Sequence, residues 1–343
     1  MSKPVQVYIL LGQSNMVGSG LKGKWWRGEH AVGPGTLHHA VRKEGLYPFM
    51  LGEDVNGEPR YSTRADARYT FVMGNSDEFD VKANAWLSAN QSGSHRIGPE
   101  YGIGWHLAEH HDEPVLILKS CIGNRSIGWD LLSPSSKAYE YDGVLNPGYG
   151  EVPKTAGTGT RPDDAGWYAG IQYDADVMKA KRVLENLDEF YPGAAGYEVA
   201  GFFFWQGTKD VSNDAHATHY EKHMANFIRD IRKEFDAHDA PFVIATLAQS
   251  KLDENGNYLH EDAKMQQYPP ERNPNAKLVL QAQLAVDGDS GKYPEFKGSV
   301  KTLYAYPLSR GGSSGGHYNN DARTYMNVGL GMGETMLELL KER

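Results

Sequence analysis

Ser14 stands where a short apolar run, Val7-Tyr8-Ile9-Leu10-Leu11, stops at Gly12 and gives way to Gln13-Ser14-Asn15. A hydroxyl at the carboxyl end of a strand can be a nucleophile if a base reaches it. The same residues also suit a polar cap on a following helix. Two other apolar runs end in a similar way. Residues 114–120 run into Cys121-Ile122-Gly123-Asn124, and residues 199–205 run into Gln206-Gly207. If the three runs are neighbouring parallel strands, their ends share one edge of a sheet. Ser14 then faces the Gly123 amide and the Gln206 side chain, donors of the kind that hold a tetrahedral oxygen. Glycine at 123 permits close backbone approach, although an ordinary turn also uses one. Gln206 read plainly satisfies nearby backbone. For the base, His317 is the one of thirteen histidines that lies in a loop soon after the last apolar run. Chain order is no obstacle, because nucleophile and base are recognised by geometry. A solvated loop histidine is the competing reading.

The elements that must position these groups alternate. Strands are expected over residues 5–11, 69–73, 114–120, 199–205, 242–247 and 300–306, from apolar continuity and β-branched content. Helices are expected over 98–111, 173–190, 215–235, 275–286 and 322–340. The first opens with proline and a carboxylate, Pro99-Glu100. The second carries Val177, Ala180, Val183, Leu184 and Leu187 on one face. Residues 275–286 mix strand-like and helix-like character and are assigned to helix. Alternation of this kind implies an α/β fold with a mostly parallel sheet covered on both faces. No disordered linker divides the chain. One domain is therefore expected over 1–343, with loop insertions at about 18–97 and 130–168.

Length and composition narrow the function. The chain has 343 residues, 40% hydrophobic and 23% charged, so a large core is affordable. No run approaches the ~20 apolar residues of a membrane span. A net charge of −9 disfavours a nucleic-acid partner. The single cysteine, Cys121, forms no internal disulfide. No secretory leader precedes the first strand, which fits a cytoplasmic chain or a secreted or periplasmic one whose leader has been removed. Nothing in the sequence sets an oligomeric state.

Four blocks together resemble a known family. Gly12-Gln13-Ser14-Asn15-Met16, Gly98-Pro99-Glu100, Trp205-Gln206-Gly207 with Asp210, and His317-Tyr318-Asn319 look like those of the SGNH-type hydrolases. The nearest branch is the sialate O-acetylesterase-like group, which includes the carbohydrate esterase family 6 enzymes. The resemblance implies a three-layer α/β/α sandwich of SGNH/flavodoxin-like architecture and removal of acyl groups, usually acetyl, from saccharides. It makes Ser14 the nucleophile and His317 the base, with Gly123, Gln206 and the Ser14 amide as the oxyanion hole. Asn15, in the same block, is a candidate for substrate binding. Two positions depart from the pattern. The family often has an acid three residues before the histidine, where this chain has Ser314. It often has Glu after Gln-Gly, where this chain has Thr208. Asp210 is then the candidate third triad member, with a backbone carbonyl or a helix-capping role as alternatives. A non-catalytic glycan-binding protein with a degenerate esterase site is the other reading, for which Thr208 and Ser314 speak.

Specificity would come from the insertions. Trp25, Trp26, Trp86, Trp129 and Trp167 can stack on sugar rings or pack in the core. Arg96, Arg125 and Arg310 can pair with an anionic group or face solvent. The expected partner is an acetylated saccharide, and the mechanism calls for no metal and no cofactor. His216, His219 and His223 share a helix face, yet no carboxylate or cysteine completes a zinc set around them. His106 and His110 read the same way. Gly329-Leu330-Gly331-Met332-Gly333 follows no strand and is not a dinucleotide fingerprint. Asp253-Glu254-Asn255-Gly256-Asn257 reads as a turn rather than a calcium loop.

Overall fold

A computed structural model describes residues 3–23, 33–55, 60–90, 95–152, 167–259 and 273–342. Among them the apolar runs assemble into one seven-stranded sheet. Its strands are β1 (Val5–Gly12), β2 (Ala67–Met73), β3 (Asp80–Trp86), β4 (Val115–Ser120), β5 (Tyr197–Trp205), β6 (Phe242–Ala245) and β7 (Val300–Leu303). They lie in the order β7-β6-β5-β1-β4-β2-β3. Every neighbouring pair is parallel except β2 with β3, which is antiparallel. β1 is central, with Leu10 opposite Lys119 of β4 and Phe203 of β5.

Helices cover both faces. They are α1 (Ser14–Val17), α2 (Leu37–Arg42), α3 (Glu100–His110), α4 (Ile171–Glu185), α5 (Leu187–Phe190), α6 (Asp214–Glu234), α7 (Asn273–Ala285) and α8 (Ala322–Lys341). The period-two alternation of β1 divides the core. Val7, Ile9 and Leu11 pack with α4, α6 and α7, whereas Tyr8 and Leu10 pack with α2, α3 and α8. All five of these side chains are buried. The result is the expected three-layer α/β/α sandwich. The glycines of Gly329-Leu330-Gly331-Met332-Gly333 lie within α8 and serve packing. A Cβ on Gly329 would sit 2.3 Å from the Pro99 carbonyl oxygen, where α8 crosses α3.

Three expectations about elements need correction. Residues 18–97 are not wholly an excursion, because β2 and β3 extend the sheet. β3 (Asp-Val-Lys-Ala-Asn-Ala-Trp) is an edge strand, half exposed along its length, so it lacks the apolar signature of a buried strand. Trp86, partly buried at its end, packs edge-on to Tyr191 at 5.6 Å. The helix expected over 173–190 breaks at Asn186 into α4 and α5. The last strand ends at Leu303, and Pro307 lies in a short 3-10 turn, Tyr306–Leu308, since proline cannot donate to a ladder. The turn at Asp253 is as read, with its carboxylate accepting from the amides of Asn255 and Asn257.

Candidate functional site

The carboxyl ends of β4, β1 and β5 lie side by side, as the sheet order requires, and their polar turns meet there. Gly12 ends β1 at φ 144°, and a Cβ on it would lie 2.5 Å from the Trp205 carbonyl oxygen. Only glycine lets β1 close on β5 at this point. Ser14 opens α1 and is half-buried. Its amide is a first-turn donor with no intrahelical acceptor. Gly123 sits against it: a Cβ built there would be 3.5 Å from the Ser14 Cβ. Among the described residues the Gly123 amide has no acceptor either. Ser14 and Gly123 are thus brought together with two backbone donors unspent.

Gln206 also lies at this edge, fully buried, but its amide is committed. Nε2 donates to Asp210 Oδ2 at 2.5 Å, to the Arg125 carbonyl at 2.8 Å and to Gln13 Oε1 at 3.3 Å. Its Oε1 accepts from the Tyr220 hydroxyl at 2.8 Å. The side chain braces the loops after β4 and β5 and has no spare donor for an oxyanion, a correction to its expected role. Asp210 is likewise placed differently from expectation. It is fully buried and accepts from the amides of Ile127 at 3.1 Å and Gly128 at 3.0 Å, as well as from Gln206. These bonds pin the loop after β4 to the loop after β5, and none reaches His317. Burial pushes its carboxyl up to about 7, against the pull of its hydrogen bonds.

On the other flank the chain returns with His317. The residue after Ser14, Asn15, donates from Nδ2 to Ser314 Oγ at 2.8 Å and to the Tyr318 hydroxyl at 3.0 Å. Ser314 in turn hydrogen-bonds Thr208 and takes Gln249 Oε1 on its amide at 2.5 Å. The two positions that depart from the family pattern are therefore partners of each other. His317 is half-buried between Ser314 and Tyr318 in sequence, and its own amide donates to the Ser314 carbonyl at 3.0 Å. Its imidazole is held below the ordinary histidine range by burial and by the nearby Arg96 cation. Among the described residues no carboxylate acts on it. Asn15 is fully buried in this bridge, so it is not free to bind substrate as expected.

A third brace explains Gly98-Pro99-Glu100. Lys119, fully buried in β4, donates to Glu100 Oε2 at 2.5 Å and to the Val17 carbonyl at 3.1 Å. Glu100 Oε1 accepts from the Gly98 amide at 2.9 Å. A buried ion pair thus fixes the end of α1, the helix that presents Ser14. The sequence motif marked this place without revealing Lys119, whose only signal is a charge at the end of an otherwise apolar strand.

Arg125 stands at the lip beside Gly123. Its guanidinium lies 5.1 Å from the Trp167 ring centre and donates to Asn75 Oδ1 at 2.5 Å and Gln172 Oε1 at 3.2 Å. Trp129 is only 4% exposed, packed with Leu132 and Ala169, and is not a sugar platform. Trp167 is half-buried against that cluster. Trp25 and Trp26 lie outside the described residues. Arg310 is exposed. Cys121 is buried and its thiol is pushed far up by burial, which keeps it unreactive. His216, His219 and His223 lie along α6. Among the described residues no group of three His, Cys, Asp or Glu side chains is placed to hold a metal.

The carbohydrate esterase, sialic acid-specific acetylesterase family matches residues 150–294. The matched segment, 145 of the 343 residues, is sialate O-acetylesterase-like. It includes Gln206, Thr208 and Asp210 and leaves Ser14, Gly123 and His317 outside it. Two solved structures share the fold. A protein from Arabidopsis thaliana is 14% identical, with 98% of each chain covered and a TM-score of 0.50. A carbohydrate acetylesterase from Xanthomonas citri is 15% identical, with a TM-score of 0.51. The match covers 96% of this chain and 55% of that one. NanS aligns over 100% of both chains at 12% identity, with a TM-score of 0.45. No curated protein matches the chain.

Proposed function

We propose that the protein is a serine carbohydrate esterase that removes O-acetyl groups from a poly- or oligosaccharide, with Ser14 as nucleophile and His317 as base. The observation that carries this reading is the Asn15 bridge. The residue next to Ser14 is hydrogen-bonded to residues on both sides of His317. These bonds support the pairing of Ser14 and His317, two groups far apart in sequence, at the sheet edge where Gly123 lies against Ser14.

The chemistry follows in two steps. The His317 imidazole takes the Ser14 proton as Oγ attacks the ester carbonyl. The amides of Gly123 and Ser14 receive the developing negative charge. The carbon–oxygen bond to the sugar breaks, and the imidazolium returns its proton to the leaving alcohol. Water, losing a proton to the same imidazole, then attacks the acyl-serine and releases acetate, and Ser14 regains its proton. No carboxylate is assigned to orient the imidazole. Its depressed basicity keeps it neutral, and so competent as a base, below the pH at which a free histidine charges. Support for a saccharide as the alcohol comes from the family match and from Arg125 over Trp167 at the lip.

Ser14→Ala should lower p-nitrophenyl acetate turnover by on the order of 10⁴-fold or more with the fold intact by circular dichroism. Unchanged turnover would end the proposal. Acetate release across a panel of acetylated glycans identifies the sugar. Failure of a fluorophosphonate to label Ser14 would favour a glycan-binding protein instead.

A further inference from the structure

The turn that carries His317 is wound left-handed. His317, Tyr318, Asn319 and Asn320 have φ of 51°, 51°, 56° and 57°. Four residues with side chains in succession adopt a conformation that costs each of them free energy, because Cβ crowds the following carbonyl. Such a segment persists only where its surroundings over-determine it. The fastening here is Tyr318. Its side chain is fully buried, its ring stacks on Trp205 at 5.5 Å and 12°, and it meets Tyr325 edge-on at 6.0 Å. Its hydroxyl accepts from Asn15 Nδ2 at 3.0 Å and from the Ala248 amide at 3.3 Å. Asn15, Trp205 and Ala248 lie at or just beyond the ends of β1, β5 and β6. One phenol therefore ties three strand ends to the turn.

We propose that Tyr318 is a positioning residue whose hydroxyl, held by Asn15, sets His317 in register with Ser14. The proposal rests on the reading of Ser14 and His317 as nucleophile and base. Its geometry is specific. Asn15 follows Ser14 and Tyr318 follows His317, so the bond between them closes the path from hydroxyl to imidazole with one residue on each side. Packing against Trp205 and Tyr325 holds the ring in place. The hydroxyl adds the connection to α1, and a phenylalanine would keep the first and lose the second.

The experiment is Tyr318→Phe, with Asn15→Ala as a second variant that breaks the same bond from its other end together with the bonds to Ser314. Kinetics on p-nitrophenyl acetate, the rate of fluorophosphonate labelling and thermal melting are measured for each and for the double variant. Either change is expected to lower kcat by about 10- to 100-fold, the cost of a misplaced catalytic group. KM should stay within about twofold and labelling should slow by the same factor as kcat, with the double variant no worse than the worse single one. Wild-type kcat in Tyr318→Phe, with Ser14→Ala inactive, would overturn the positioning role and leave the nucleophile in place. Multiplied losses in the double variant, or a loss tracked only by the melting temperature, would also overturn it. An active Ser14→Ala would remove both readings.

Discussion

The two flanks of Ser14 are built differently. On the side of β4 and β5, a buried carboxylate holds everything. Asp210 gathers the amides of Ile127 and Gly128 and the side chain of Gln206. On the side of the returning chain the bonds that hold the turn are neutral. Asn15, Thr208, Ser314 and Tyr318 share neutral amide and hydroxyl bonds around a left-handed turn. Hydrogen bonds to a charged acceptor contribute roughly 1.5–3 kcal/mol each and neutral ones about 1 kcal/mol, and because burial lifts the Asp210 carboxyl to about 7 the stronger bonds are present above that pH. A left-handed residue costs about 1–2 kcal/mol. The flank of the proposed oxyanion amides is thus firmly anchored, whereas the flank of the proposed base balances modest bonds against strain. Geometry at the oxyanion amides should survive perturbation that moves the imidazole.

Removing the anchor gives the largest effect that would break this contrast. Asp210→Ala leaves the amides of Ile127 and Gly128 without their acceptor and takes one of three acceptors from the Gln206 amide. It should cost about 4 kcal/mol in chemical denaturation and abolish turnover with it. A cost under about 1 kcal/mol would make the two flanks alike. Relaxing the strain gives the next effect, of opposite sign. Asn320→Gly, at φ 57°, should raise stability by about 0.5–1 kcal/mol with kcat nearly unchanged, because glycine occupies that region freely. No gain in melting temperature would mean that the turn stores little.

The smallest effect is electrostatic. Arg96 and burial both lower the His317 pKa from 6.5. The base must be neutral, so the acid limb of kcat/KM should have its midpoint below 6.5. Activity persists to lower pH than a free imidazole would allow, and it is lost as pH falls through the folded-state value. Arg96→Gln should move that midpoint upward by a fraction of a pH unit. A midpoint that stays in place, or moves down, would remove Arg96 from the environment of His317.

Much of this was legible in one dimension. A buried parallel strand is apolar throughout, so β1, β4, β5 and β6 announced themselves. Their ends at Gly12, Gly123 and Gln206 could be set on one edge from strand order alone. β3 was missed because an edge strand half in solvent carries no such pattern. Asp210, Gln206 and Asn15 are placed differently from expectation for a shared reason. Residue type and position in a motif say that a group is near a site, and do not say whether its hydrogen-bonding capacity is already spent.

What the sequence determined by itself was therefore the sandwich, the edge at which chemistry is possible, and Ser14 and His317 as the groups to test. The parallel sheet and its polar edge follow from short-range physics, since apolar periodicity and turn residues are properties of neighbouring residues, whereas the sandwich and the choice of Ser14 and His317 came from the resemblance of four sequence blocks to a known family. Only the tertiary structure decided that Asp210 braces the oxyanion flank, that Thr208 pairs with Ser314, and that Tyr318 and Asn15 join the two ends of the chain. Each of those is a contact between residues 80 or more positions apart, and such contacts exist only once folding has brought them within the reach of a hydrogen bond.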